Sequence, residues 1–183
     1  PLTRYTWNGT PVFSTVGEVI LTFDTATSFT FSWLLNGQYG SEPFSILAPL
    51  SCPQNNGAPA QWSGAWYQPG NGGWGFSVTA VSAADAEAVY IFDALGEPRW
   101  LLGSIAPAAS TVTIPLSQYT GFCPNCARTA NPTTTPAGTM TRRYTNNGNG
   151  SLDINVDFAG SIPGTWVRTN STQAKITPDI ACQ

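Results

Sequence analysis

Apolar and polar residues alternate with a period of two along most of the chain. Glu18-Val-Ile-Leu-Thr-Phe23, Ser28-Phe-Thr-Phe-Ser-Trp33, Gly75-Phe-Ser-Val-Thr-Ala80 and Ser151-Leu-Asp-Ile-Asn-Val-Asp-Phe158 carry the pattern clearly, which predicts half-buried strands. Ala88-Val-Tyr-Ile-Phe92 and Trp100-Leu-Leu-Gly-Ser104 flank Asp93-Ala-Leu-Gly96, and the glycine there suits the positive φ of a short hairpin loop. Asn36-Gly37 and Asn147-Gly148 mark further turns. The single helix-friendly stretch, Val81 to Ala88, is too short to stand alone. The pattern therefore predicts an all-β antiparallel meander or barrel, with a sandwich as the alternative and little or no helix.

An internal pseudo-repeat overlies this alternation. Pro1-Leu-Thr-Arg-Tyr-Thr6 is echoed by Pro115-Leu-Ser-Gln-Tyr-Thr120, and Val16-Gly17 by Ala137-Gly138. Phe29-Thr-Phe-Ser-Trp33 shares its apolar rhythm with Leu152-Asp-Ile-Asn-Val156, and Ile46-Leu-Ala-Pro-Leu-Ser-Cys52 ends one copy as Ile176-Thr-Pro-Asp-Ile-Ala-Cys182 ends the other. Four matches in the same order predict a half unit over 1–52 and a whole unit over 53–183, packed as one compact globule.

Composition narrows the chemistry. Of 183 residues 42% are hydrophobic and 12% aromatic, but only 9% are charged and none is histidine. That removes Ser-His-Asp and Cys-His hydrolysis, His-ligated zinc and haem, and His acid–base catalysis, and the single lysine, Lys175, leaves little scope for a Schiff base. No apolar run reaches the roughly 20 residues of a spanning helix, so no membrane span is expected. A net charge of −3, ten carboxylates against seven basic residues, gives no pull toward phosphate backbones, so nucleic acid is not an expected partner. Sparse Lys and Glu among many Thr, Ser, Asn and Gly fit a secreted, periplasmic or cell-surface bacterial protein, and Pro1 is expected to open a mature or trimmed chain.

Four cysteines, Cys52, Cys123, Cys126 and Cys182, suit two disulfides in an oxidising compartment. Cys52 and Cys182 end the two copies and are expected to pair, with Cys123 and Cys126 closing a local clip; the other connectivities stay open. The Cys-Pro-Asn-Cys spacing also matches redox motifs, but Pro132 and Pro136 prevent the helix that would activate a thiol.

The densest motif is Ser63-Gly-Ala-Trp-Tyr67-Gln-Pro-Gly-Asn-Gly-Gly-Trp74-Gly-Phe76, continuing through Val89-Tyr-Ile-Phe-Asp93-Ala-Leu-Gly96-Glu-Pro-Arg99-Trp100-Leu-Leu-Gly103. It resembles a family of uncharacterised exported bacterial proteins with the pattern SGxWYxPxxxGxGF, then WYxYDxxGxPxWLxG, then GxxxLTF. Gly17-Glu-Val-Ile-Leu-Thr-Phe23 is similar to the last element, which that family places late in its unit. Here Val89-Tyr-Ile-Phe92 stands where the family has WYxY, and the resemblance implies no activity. Gly64-Ala-Trp-Tyr-Gln68 and Phe76-Ser-Val-Thr-Ala80 are similar, over a much shorter stretch, to the opening strands of avidin-like barrels.

Candidate ligand-contacting residues are Trp62, Trp66, Tyr67, Trp74, Tyr90 and Trp100, since flat rings stack on the apolar faces of sugars. Trp62 and Trp74 lie at loop edges and read as the surface tryptophans. Trp33, Trp66, Trp100 and Trp166 lie in strand-like stretches and read first as core. Asp153-Ile-Asn-Val-Asp157 has the start of a calcium-loop spacing but lacks its glycine and terminal Glu, so it reads as the solvent face of a strand. Asp93 and Glu97 are the nearest pair for a carboxylate-only glycosidase, but they flank a turn. No catalytic residue, metal or cofactor is assigned. The expected function is a secreted non-enzymatic binding or structural β-module, part of a larger surface repeat protein, with glycan or small-ligand binding through exposed Trp and a carboxylate-only glycoside hydrolase as the alternatives. Its expected partners are a glycan met through exposed Trp, or another chain through β-strand addition.

Overall fold

The computed structural model describes residues 1–7, 9–45, 51–93, 95–96, 98–120, 133–158 and 164–179. The chain divides into two compact units, whose described residues are 1–45 in the first and 51–179 in the second. Every regular element among them is a strand, and no helix is long and apolar enough to cross a membrane. The stretch 81–88 is no helix: Val81 ends one strand, Ser82 and Ala83 turn, and the rest opens the strand Ala84–Phe92.

The first unit is a four-stranded antiparallel sheet of β1 (Leu2–Trp7), β2 (Pro11–Phe23), β3 (Ser28–Leu35) and β4 (Gln38–Ser45) in sequential order. Asn36 and Gly37 both take positive φ, 50° and 81°, the left-handed pair that lets a two-residue loop follow the twist of its strands. Direct pairing puts Val19, Leu21 and Phe23 on one face with Trp33, Phe31 and Phe29. Phe44 joins them opposite Phe29, and its ring stacks there at 5.3 Å. The other face is largely polar, with Ile20 opposite Ser32, Thr22 opposite Thr30, and the Ser32 and Ser41 hydroxyls 3.1 Å apart. No described side chain of this sheet is buried.

The second unit contains a small hairpin, β5 (Gln54–Asn55) with β6 (Ala58–Pro59), and then an eight-stranded antiparallel meander. Its strands are β7 (Gly64–Tyr67), β8 (Gly75–Val81), β9 (Ala84–Phe92), β10 (Pro98–Ile105), β11 (Thr111–Thr120), β12 (Thr133–Tyr144), β13 (Asn149–Phe158) and β14 (Gly164–Lys175). β14 returns to pair with β7, which closes the sheet into a barrel and leaves it no free edge. Burial alternates strictly along β9 and β13, as the period-two pattern predicts. The expected hairpin is present, with Phe92 opposite Pro98 and Gly96 at φ 77°.

The barrel interior is filled rather than hollow along its middle, by residues such as Phe76, Val89, Leu101, Ile114, Met140 and Ile154. Trp62 and Trp66 add large rings to the same core. Cys52, the one described cysteine, is not a free thiol. Cys123, Cys126 and Cys182, and with them the expected pairings, lie outside the described residues.

Candidate functional site

Two groups of side chains concentrate the chemistry of the barrel: one inside its wall and one outside. The inner group belongs to the end where β8 runs into β9 and β12 into β13. Asp85 and Glu87 project inward from β9 in phase with Val89 and Ile91, and Arg142 projects from β12 in phase with Met140 and Tyr144. The Arg142 guanidinium donates from Nε to Glu87 and from Nη2 to Asp85, and all three are buried. Its Nη1 also reaches the Ala109 carbonyl at 3.4 Å, and its Cζ lies 4.0 Å from the centre of the Tyr144 ring. Tyr144 stacks on Trp62 at 5.0 Å and on Trp66 at 4.7 Å, while the Trp66 indole N–H donates to the Trp62 carbonyl at 2.9 Å.

One guanidinium against two carboxylates would leave a net negative charge in an apolar core, which is costly unless one carboxyl keeps its proton. Burial pushes the Glu87 carboxyl up to about 8, so Glu87 is the member that stays neutral near pH 7. Burial also lowers Arg142 to about 10, against which Tyr144 pulls it upward, and raises Tyr144 well above the usual phenol range. Among the described residues, Glu87 Oε2, Asp85 Oδ1 and the Tyr144 hydroxyl find no hydrogen-bond partner. This group ties β9 to β12 across the barrel, with its charged ends among packed rings.

The outer group lies on β8, β9, β10 and β11. Pairing places outward residues in rows: Gly75, Tyr90 and Trp100 in one, Ser77, Ala88, Leu102 and Ser117 in the next, and Thr79, Ala86 and Ser104 beyond. Small side chains in the second and third rows leave a groove of about 520 Å³, which Tyr119 also lines. Trp100 and Tyr119 stack nearly parallel at its border, 5.7 Å apart and 11° from coplanar. The Tyr90 hydroxyl lies 3.2 Å from the Ser77 hydroxyl, and Tyr67 continues the aromatic row on β7 opposite Gly75. The one charged residue along the groove is Glu87, whose carboxyl is turned inward onto Arg142.

The candidate aromatics are thus divided between wall and core. Tyr67, Tyr90 and Trp100 are exposed, Trp100 by 43%. Trp62, expected at a surface, is only 1% exposed, because it caps the barrel end over Tyr144. Trp66 is equally buried, so neither can meet a ligand at the surface. Trp74 is partly buried against the core, edge-on to Trp166 at 5.0 Å. Trp100, read first as core, faces outward because Leu101 takes the inward position on β10. Tyr119 and the serines and threonines of the groove went unpredicted; for Ser117 and Tyr119 the alternation with inward Leu116 and Gln118 was the available signal.

The carboxylates read as surface or turn groups are engaged locally. Asp93 pairs with Arg99 at 2.8 Å and caps the turn through the Leu95 N–H at 2.9 Å, whereas Glu97 lies outside the described residues. Asp153 accepts from the Asn170 N–H and from Arg143, both at 2.6 Å, and these bonds hold its carboxyl below the usual range. Asp157 accepts from the Thr165 hydroxyl at 2.6 Å. No group of three or more metal-ligating side chains occurs among the described residues. No protein-family model matches the sequence, and neither a curated protein nor a solved structure matches it.

Proposed function

We propose that the protein is a secreted, non-enzymatic β-barrel module that binds neutral carbohydrate on the outer wall of β8–β11. The stacked Trp100–Tyr119 pair bordering a hydroxyl-lined groove carries the reading. Rigid exposed rings offer a flat apolar platform to a pyranose face. Ser77, Thr79, Ser104 and Ser117 add hydroxyls that donate or accept as a sugar requires. A groove without an outward charge suits an uncharged ligand better than a phosphate or a uronate. The scarcity of charge in the whole chain is in keeping with an extracellular setting.

The test is calorimetric titration of the full chain with soluble neutral polysaccharides, beside acidic ones. Binding to a neutral glycan that Trp100→Ala abolishes, while Trp62→Phe leaves it intact, is the expected result. Binding only to charged glycans, or binding that survives Trp100→Ala combined with Tyr119→Ala, would overturn the proposal.

A further inference from the structure

The sheet of the first unit and strands β11–β14 of the barrel have the same internal geometry. Leu2 faces Gly17, and the register shifts between Leu2 and Thr3; Leu116 faces Gly138, and the register shifts between Leu116 and Ser117. Both glycines lie against the carbonyl of the next strand. A Cβ on Gly17 would meet Leu34 O at 1.7 Å, and one on Gly138 would meet Asn155 O at 2.1 Å. On the far side Gly17 faces Leu35 and Gly138 faces Val156. Counting along these registers aligns Val19, Leu21 and Phe23 with Met140, Arg142 and Tyr144. It aligns Phe31, Trp33 and Leu35 with Leu152, Ile154 and Val156. The strand match expected from apolar rhythm, Phe29 with Leu152, is two residues out, because a two-residue slip keeps every side chain on its face.

The aligned surfaces differ in what covers them. In the barrel the face of β11–β14 is sealed by β7–β10, and Met140, Leu152, Ile154 and Val156 are each at most 1% exposed. On the corresponding face of β1–β4 no described side chain is buried, and Phe23 is 73%, Leu21 48% and Phe44 44% exposed. Charge also differs, and at more than one position: Glu42 lies opposite Phe31 on this face, where the barrel has Ser171 opposite Leu152. The barrel answers Arg142 with Asp85 and Glu87 from the covering half, whereas β2 has Leu21 in that place.

We propose that β1–β4 is an acceptor half barrel, closed by a four-stranded meander of the β7–β10 kind carried by another polypeptide, with uncharged residues where Asp85 and Glu87 stand. Such a meander pairs with β1 and β4, the edge strands of the sheet among the described residues, as β10 and β7 pair with β11 and β14, and covers the exposed apolar side chains. A meander that kept the two carboxylates would bury them against Leu21, in one row with Glu42 and opposite no cation there, so charge selects the partner.

The test adds a second copy of residues 61–114 ahead of Pro1 in the full chain, so that the addition enters Pro1-Leu2 as residue 114 enters Pro115-Leu116. Three additions are compared: the native sequence, Asp85→Leu with Glu87→Leu, and Asp85→Asn with Glu87→Gln, each changed in the added copy only. Hydrogen exchange over 1–45 is read by mass spectrometry, with β7–β14 of the original barrel as the internal standard. Both uncharged additions are expected to slow exchange of β1–β4 by about 100-fold, and the native one by less than about 3-fold. Failure of both uncharged additions, or equal slowing by all three, would overturn the proposal. So would an unmodified chain that is dimeric by light scattering with β1–β4 already protected, since a second copy would then be the occupant.

Discussion

Arg142 and Glu87 meet inside the barrel across 55 residues of sequence, joining β12 to a strand that is not its neighbour in the sheet. Asp85 shares the same guanidinium. Removing the cation alone strands two buried carboxyls, so Arg142→Leu is expected to cost about 3 to 5 kcal/mol. The triple variant Asp85→Asn, Glu87→Gln, Arg142→Leu should recover a large part of that loss. Urea midpoints of the three chains, followed through Trp62 and Trp66 fluorescence, give the comparison.

Glu87 also sets a pH dependence. Its folded value of about 8 lies above its ordinary 4.5, so between these values the folded state holds more protons than the unfolded one. The contribution of Glu87 is therefore full below pH 4.5 and is lost as pH rises toward 8, by at most about 1.4 kcal/mol per pH unit. Denaturation at pH 5, 6, 7 and 8 should show this slope in the parent chain and its loss in Glu87→Gln. A flat parent profile would mean that Glu87 ionises inside the barrel without cost.

Gly138 has φ 147°, and its Cβ position falls 2.1 Å from Asn155 O. The atoms it would meet are all backbone of β13, with nothing flexible to yield, so Gly138→Ala should destabilise the barrel by about 2 to 4 kcal/mol. Gly148→Ala is the control, because its added methyl would come no closer than 3.8 Å to a neighbour. Thermal unfolding of the two variants should separate them clearly.

Trp100→Phe keeps an aromatic face but loses the larger indole and its N–H, so it should weaken glycan binding by about 10-fold where Trp100→Ala abolishes it. Ser117→Gln should block the groove from within at little cost to folding, because Ser117 points outward between Leu116 and Gln118. Calorimetry and a melting curve on each variant distinguish lost contact from lost structure.

Much of the architecture was legible because strand formation is a local property. Ser151 to Phe158 alternates in sequence and in burial alike, and Asn36-Gly37 turns where that dipeptide must. The direction of the alternation was less legible. In Val89-Tyr-Ile and Trp100-Leu both faces carry large residues, so parity alone does not say that Val89, Ile91 and Leu101 are inside. The buried ion group left a readable trace: Asp85 and Glu87 fall in phase with Val89 and Ile91, and Arg142 with Met140 and Tyr144. Acidic residues in the apolar phase of one strand and a basic residue in that of another form a pair that only barrel closure brings together.

The seam that closes the barrel is its shortest. β7 and β14 meet through two register pairs, Tyr67 with Ala174 and Trp66 with Lys175. Around them Ile176 N–H donates to Ala65 O at 2.8 Å, Thr177 Oγ1 accepts from Ala65 N–H at 3.2 Å, and Lys175 Nζ reaches Gln61 O at 2.7 Å. Gly64 leaves room for that threonine, since a Cβ there would meet Thr177 Oγ1 at 2.0 Å. Under tension the wall should therefore unzip along this line first, like a cylinder slit lengthwise. A pulled barrel would then yield between β7 and β14 while the longer ladders on either side stayed intact.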